Sequence, residues 1–213
     1  MGNTVAKITA LRLGKGRSKK ANVSLDGKPA FSLEAEVALK EGLKVGQELS
    51  AGRIEALKKV NNYQRGYDVA ARYLSYRPRS EYEMRRQLAK HRFDEDCIEA
   101  ILSKLKEQGL VDDSAFAKFW KENRQSFSPR SQWLTRLELK QKGVPNEIID
   151  QAVSTIDDAD NAYRAATSRV RSLTMSDYHS FRHRLGEYLR RRGFGYGVIS
   201  RTIERLWQER EVL

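Results

Sequence analysis

His179 and His183 stand four residues apart, a spacing that puts two imidazoles on one helix face and could supply two ligands to a metal. Asp157, Asp158 and Asp160 form an acidic trio that could hold a divalent ion for a hydrolytic reaction. GFGYG at 193–197 is glycine-rich, as phosphate-binding loops are. Each has a plainer reading. The histidines lack a third ligand, because the single cysteine, Cys97, completes no set. The aspartates suit the start of a helix, whose exposed N–H groups favour carboxylates. GFGYG follows a helical pattern instead of a strand and has no GxxxxGK[ST] companion, so Gly193 is expected to end a helix. The expectation is therefore no catalytic residue, no metal and no cofactor. A lone cysteine also excludes an intrachain disulfide, which suits a reducing compartment.

Charge offers more. Forty Lys and Arg against 28 Asp and Glu give a formal net charge of +12. Such a surplus favours polyanionic partners, nucleic acid first and acidic protein surfaces second. The cations cluster in three places: Arg77, Arg79, Arg85, Arg86, Lys90 and Arg92; then Arg130, Arg136, Lys140 and Lys142; then Arg182, Arg184, Arg190, Arg191 and Arg192. If these belong to equivalent helices of stacked units, they form a basic stripe suited to a linear polyanion.

The chain repeats itself. RPRSEYEMRRQL at 77–88 returns as SPRSQWLTRLEL at 128–139, displaced by 51 residues. The apolar set Ile98, Ile101, Leu102 and Leu105 returns as Ile149, Ala152, Val153 and Ile156, then as Ile199, Thr202, Ile203 and Leu206. Leu88, Leu139 and Leu189 match upstream, as do the breaks at His91–Phe93, Lys142–Val144 and Arg192–Phe194. Fixed-period similarity with preserved apolar positions predicts a repeat architecture. Each unit reads as three short helices, with RPRS and SPRS separating the first from the second and Ser80 and Ser131 as caps. Asp112 or Asp113 should cap the helix that buries Phe116, Phe119 and Trp120. The third unit turns at Ser172–Ser176 without proline and then presents Phe181, Leu185 and Leu189. The predicted array is elongated, straight or curved. Its third helices carry Glu99, Asp150 and Glu204, which suit phosphates poorly and argue against a sequence-reading helix-turn-helix. Trp120 and Trp207 read as core. Trp133 stands open between packing and base stacking.

The first 50 residues differ. VSLDGKPAFSL alternates about Asp26-Gly27, a strong hairpin signal, with Val23 and Leu25 on one face and Phe31 and Leu33 opposite them. KITALRLG also alternates, at Ile8 and Ala10, and should pair with it. A short helix near EAEVALKEG should stop at Gly42, and Ser50 can cap the next helix. The expected fold is mainly α: a small β-hairpin-containing domain (1–50), a helical connection (51–62), and three-helix repeats at 63–110, 111–156 and 157–213. The start, MGNTVAKITALRLGKGR, has no apolar run of signal-peptide length, and no segment approaches the roughly 18 apolar residues of a membrane span. The expected location is the cytoplasm, with no membrane contact.

From about Ala70 to Trp207 the chain resembles the RecX family, the bacterial regulators of the RecA recombinase. The resemblance lies in AARYLSYRPRSEYEMRRQL, GLVDDSAFA, ELKQKGVPNEII and YLRRRGFGYGVI, in that order. It implies tandem three-helix repeats and a non-enzymatic protein, and the chain is expected to act as a monomer. It implies binding to RecA filaments on DNA, modulation (usually inhibition) of their ATPase, strand-exchange and co-protease activities, and direct binding of single- or double-stranded DNA without sequence preference. The family's motif falls on Arg77, Pro78, Arg79 and Ser80 and on Gly109, Leu110, Val111, Asp112 and Phe116. Unit two departs at Ser128, where unit one has Arg77. The binding residues carried forward are Arg77, Arg79, Arg85, Arg86, Lys90, Arg92, Arg130, Arg136, Lys140, Lys142, Arg190, Arg191 and Arg192. The competing reading is a sequence-nonspecific DNA-binding protein that acts by competition for DNA. A metal-dependent helical nuclease built on the aspartate trio is the third.

Overall fold

The computed structural model describes residues 5–14, 20–171 and 177–211. The expected turn at Ser172–Ser176 lies outside them. The residues group into two compact units. One contains the residues up to Arg77 together with Met84–Gln108. The other contains Pro78–Glu83 together with the residues from Gly109 onward.

The first unit opens with an antiparallel sheet of order β3-β2-β1-β4, from β1 (Val5–Leu13), β2 (Lys20–Leu25), β3 (Lys28–Glu34) and β4 (Glu48–Ser50). Asp26 (φ 48°) and Gly27 (φ +81°) make the two-residue turn between β2 and β3, with left-handed backbone at both positions as a type I′ hairpin requires. Ile8, Val23, Leu33 and Leu49 are buried on one face against Ala38 of α1 (Ala35–Lys40), Leu43 and Leu57. The expected partnership of Ile8 with Ala10 does not hold. The register shifts between these residues, and Leu11, opposite Val23, packs on the core instead. The extra residue of a bulge inverts the inside–outside alternation, and Thr9 at the shift accepts from the Gly27 N–H at 3.0 Å.

Ser50 accepts from the Arg53 N–H and starts α2 (Ala51–Leu74), which runs unbroken through 24 residues. Its first half closes the sheet with Leu57. Its second half approaches α4 (Glu95–Glu107) at Gly66, where a Cβ would stand 2.5 Å from Ile101 Cδ1.

The remaining helices are α3 (Glu81–Lys90), α5 (Asp113–Phe127), α6 (Gln132–Gln141), α7 (Asn146–Val153), α8 (Asp158–Val170), α9 (Tyr178–Arg190) and α10 (Tyr196–Glu211). Phe116, Leu139, Val144, Ile149 and Val153 form the core of the α5–α7 module. Ala162, Ala166, Phe181, Leu185, Leu189 and Ile203 form that of α8–α10. The stripe read from the repeat is buried throughout except for Ala152, which is half-buried. Phe119 and Trp120 are likewise half-buried rather than enclosed. Each second helix ends in the same left-handed turn: Arg92 (φ 63°), Gly143 (φ +73°) and Gly193 (φ +83°). The next residue's N–H bonds back to Leu88, Leu139 or Leu189, and its side chain, Phe93, Val144 or Phe194, is buried.

The second unit contains two joints of one design. Ser80 caps α3 by accepting from the Glu83 N–H, and its hydroxyl donates to the Lys142 carbonyl at 2.6 Å. Ser131 caps α6, and its N–H donates to the Arg192 carbonyl at 3.0 Å. Asp112 and Asp157 cap their own helices, α5 and α8. The aspartate after each serves the preceding module: Asp113 accepts from the Glu81 N–H at 2.9 Å, and Asp158 from the Gln132 N–H at 2.7 Å. An aromatic side chain lies across each glycine turn, Tyr82 on Gly143 and Trp133 on Gly193. A Cβ on Gly143 would stand 2.3 Å from the Tyr82 Cβ. Gly143→Ala therefore combines left-handed strain with overpacking and is expected to cost more than about 2 kcal/mol. Gly109→Ala shares the left-handed φ of +66° but has open space, and should cost only about 1 kcal/mol. Urea unfolding followed by circular dichroism checks the difference; equal losses would contradict the joint.

Candidate functional site

The cations selected by charge divide into two groups once the helices are in place. Arg85, on α3, is ion-paired with Glu95 and Glu99 of α4. Its hydrogen bond holds the Glu99 carboxyl below the usual range. Arg136, on α6, is paired in the equivalent way with Asp150 of α7. Thus two of the three third-helix carboxylates noted in the sequence, Glu99 and Asp150, neutralise second-helix arginines, while Glu204 accepts from the Ser200 hydroxyl.

Arg130 and Lys142 are engaged more deeply. Glu138 is buried at 9% exposure yet carries a charge, so it requires partners. It accepts from Trp120 Nε1 and Arg124 Nε, both at 2.8 Å, and is paired with Arg130. Desolvation lowers the pKa of both guanidinium groups, and for Arg130 the neighbouring Arg124 and Arg192 add to it. Arginine remains charged at neutral pH nonetheless. Lys142 donates to Glu83 at 2.8 Å across the first joint, with its ammonium 5.0 Å from the Trp120 ring centroid. Arg192 stacks its guanidinium 3.9 Å from the Tyr188 ring centroid. These three cations serve folding contacts.

The second group is at or near the surface. Arg77 and Arg79 are half-buried in the loop before α3, and Arg86 is exposed on it. Lys90, Arg92, Lys140, Arg190 and Arg191 are exposed. Lys90, Lys140 and Arg190 occupy the last turns of their helices, where a cation also complements the helix dipole. Arg190 additionally pairs with Glu187 at 2.8 Å on the surface.

The other chemical candidates have structural uses. Asp157 caps α8, Asp158 belongs to the second joint, and Asp160 faces Arg164 at 3.8 Å. His179 and His183 are exposed on α9. Cys97 is half-buried and its thiol pKa is pushed up, by burial first and by Asp94 second, so it is a poor nucleophile. Among the described residues no group of three His, Cys, Asp or Glu side chains is placed to hold a metal ion. None of their helices is long and apolar enough to cross a membrane. Trp133, left open by the sequence, is 62% exposed with one edge on the Gly193 turn. Sequence reasoning missed Glu138 and the second aspartate of each pair. The Asp-Asp doublets were visible, but only the cap within the same helix could be read from them.

A small antiparallel sheet, followed by three-helix modules that carry exposed cations on their second helices, defines a helical repeat protein. Profiles of RecX, first three-helix domain, and RecX, second three-helix domain, match residues 67–105 and 112–153. Regulatory protein RecX of Clostridium botulinum (strain Alaska E43 / Type E3) is 30% identical over 206 residues, covering 94% of this chain and 96% of the relative. That of Bacillus pumilus (strain SAFR-032) is 28% identical over 208 residues, covering 96% and 79%. A crystal structure of regulatory protein RecX superimposes with a TM-score of 0.63 at 27% identity, covering 92% of this chain and 97% of that one. The crystal structure of RecX from Lactobacillus salivarius shares the fold, with a TM-score of 0.58 at 24% identity over 69% of this chain and 97% of that one. The chain belongs to the RecX family of regulatory proteins.

The two kinds of ion pair should respond differently to loss of one partner. Glu138→Gln leaves two partly buried guanidinium groups without their anion and is expected to cost about 3 kcal/mol. Asp150→Asn breaks an exposed pair and should cost less than about 1 kcal/mol. Urea midpoints of the two variants test this assignment, and comparable losses would mean that Glu138 is not the centre of a buried network.

Proposed function

We propose that the protein regulates RecA by binding the RecA–DNA filament and lowering its ATPase, strand-exchange and co-protease activities, without catalysis of its own. The observation that carries this reading is the recurrence of exposed cations, Lys90, Lys140 and Arg190, in the last turn of each second helix, while Arg130 and Lys142, nearer the joints, are paired with carboxylates within the protein. Membership of a family of regulatory proteins supports it. Arg92 and Arg191 extend the exposed set, and Arg77, Arg79 and Arg86 lie on or before α3. Several weak contacts made in parallel by one monomer give avidity without a deep pocket. A protein that binds one filament state better than another shifts their populations by the ratio of the two affinities. The partners are a RecA filament and DNA of either strandedness, contacted at phosphates rather than base edges, in the cytoplasm.

The net charge favours a second reading, binding to naked DNA that inhibits RecA only by competition. Titration of the protein into RecA on single-stranded DNA, with DNA in large excess, separates the two. Inhibition of the ATPase well below RecA stoichiometry and undiminished by added naked DNA is the expected result. Inhibition that disappears as naked DNA is added would replace the filament reading with competition.

Replacing Lys90, Lys140, Arg190 and Arg191 together by alanine should raise the concentration needed for half-inhibition at least about tenfold, while the thermal melt is retained. For each phosphate interaction removed, the log–log salt dependence of single-strand binding should flatten by about 0.7. Unchanged inhibition in the folded variant would move the binding surface elsewhere.

A further inference from the structure

In the first two modules an ion pair closes the outer seam between second and third helices: Arg85 with Glu99, and Arg136 with Asp150. The repeat places Gly186 and Ser200 at these two positions in the third module. There the seam is open, and a cavity of about 340 Å³ lies between α9 and α10. That is the small end of the range for ligand sites, roughly 300–1,000 Å³. Gly186, Ile199 and Ile203 provide an apolar floor, while Arg182, Arg190 and Tyr196 line the cavity with Glu187 beside Arg190. Arg182 donates to the Tyr196 hydroxyl at 3.3 Å and, among the described residues, has no carboxylate within ion-pair distance. Tyr196 is 76% exposed.

We infer that this cleft takes one unstacked base of a single-stranded nucleic acid together with its adjoining phosphate. This rests on the proposed binding of DNA and gives that contact a defined place. A base has a flat apolar face for the floor and a π-face for Tyr196, and the phosphate matches Arg182 and Arg190. An acidic peptide would meet the same arginines but leave the floor uncovered. A duplex holds its bases in its own stack and cannot fill the cleft. Closing the seam with the first module's residues removes the site by design. A Cβ on Gly186 meets Ile203 Cδ1 at 3.8 Å and Ile199 Cγ2 at 3.9 Å, ordinary contacts that leave room for a side chain.

The test uses the full chain with a short oligothymidylate carrying one 5-iododeoxyuridine, and a duplex of the same length. Irradiation should crosslink the single strand to Tyr196. Tyr196→Ala, and the paired change Gly186→Arg with Ser200→Glu, should each weaken single-strand binding roughly five- to a hundredfold and leave duplex binding unchanged. If the paired variant does not fold, Tyr196→Ala and Arg182→Ala alter only exposed side chains and decide the matter alone. Normal single-strand binding with no crosslink at Tyr196 and no loss in these variants overturns the cleft and leaves the proposed function standing. Equal loss on single strand and duplex also overturns it. Failure of the unaltered chain to bind any single strand removes the DNA reading and the cleft together.

Discussion

The first two second helices, α3 and α6, depend on an acceptor that they do not carry. A ten-residue helix such as α3 or α6 is marginal on its own, and its first turn exposes N–H groups that need partners. Ser80 and Ser131 satisfy one each, by capping. Asp113 and Asp158, from the first helix of the following module, satisfy another. The starts of α3 and α6 are thereby tied to the start of the next module's first helix, while their serines are tied to the end of the next module's second helix. Two short tethers at fixed offsets leave little freedom in module length, and the sequence period results from them. The same closeness excludes a side chain at Gly143, where Tyr82 lies on the backbone, and at Gly193, where Ser131 and Leu134 come nearer still than Trp133.

That constraint governs what charge can do. Lys142 and Arg192 immediately precede the glycines of the joints, so their side chains lie among joint contacts: Glu83 and Trp120 for one, Tyr188 for the other. Arg130 precedes Ser131 and meets the buried Glu138. An unpaired carboxylate at that depth would be costly, so its partners are held inside rather than offered to a ligand. One to two residues before Lys142 and Arg192 the cations lie outside the joint, and Lys140, Arg190 and Arg191 are exposed. A net charge of +12 therefore overstates the number of cations available to a partner, because position along the helix decides which are used internally.

Local chemistry made much of this legible in the sequence. Asp26-Gly27 requires no neighbour to set a type I′ turn, and Ser50, Ser80 and Ser131 cap helices that begin beside them. The apolar stripe from Ile98 to Leu105 points inward because a helix with that spacing has one inward face. The features that escaped depend on other segments. The register shift between Ile8 and Ala10 is set by pairing with β2, and β4 is three residues that become a strand only beside β1. The unbroken α2 joins what the sequence read as a connection and a first helix, since no breaking residue separates them and Gly66 is used for close approach to Ile101. The resemblance to RecX drew attention to the RPRS and VDD motifs, but it could not assign Asp113 to the preceding module.

The third module diverges at the position where this constraint acts. Counting back from Leu189, the place of Ser80 and Ser131 falls on Phe181, a buried residue inside α9. The helix consequently begins about one turn earlier, capped by Asp177 from its own segment, and it is 13 residues long instead of ten. A longer, self-capped helix has less need of an outer ion pair to fix it against its third helix. The positions that hold Arg85 with Glu99 and Arg136 with Asp150 are Gly186 and Ser200 here, while the inner residues Leu185, Leu189 and Ile203 remain buried. The apolar core sets the spacing of α9 and α10, so loss of the outer pair does not let the helices close together. It leaves a gap with an apolar floor, which is why divergence in an otherwise repeated scaffold creates a cleft at this seam.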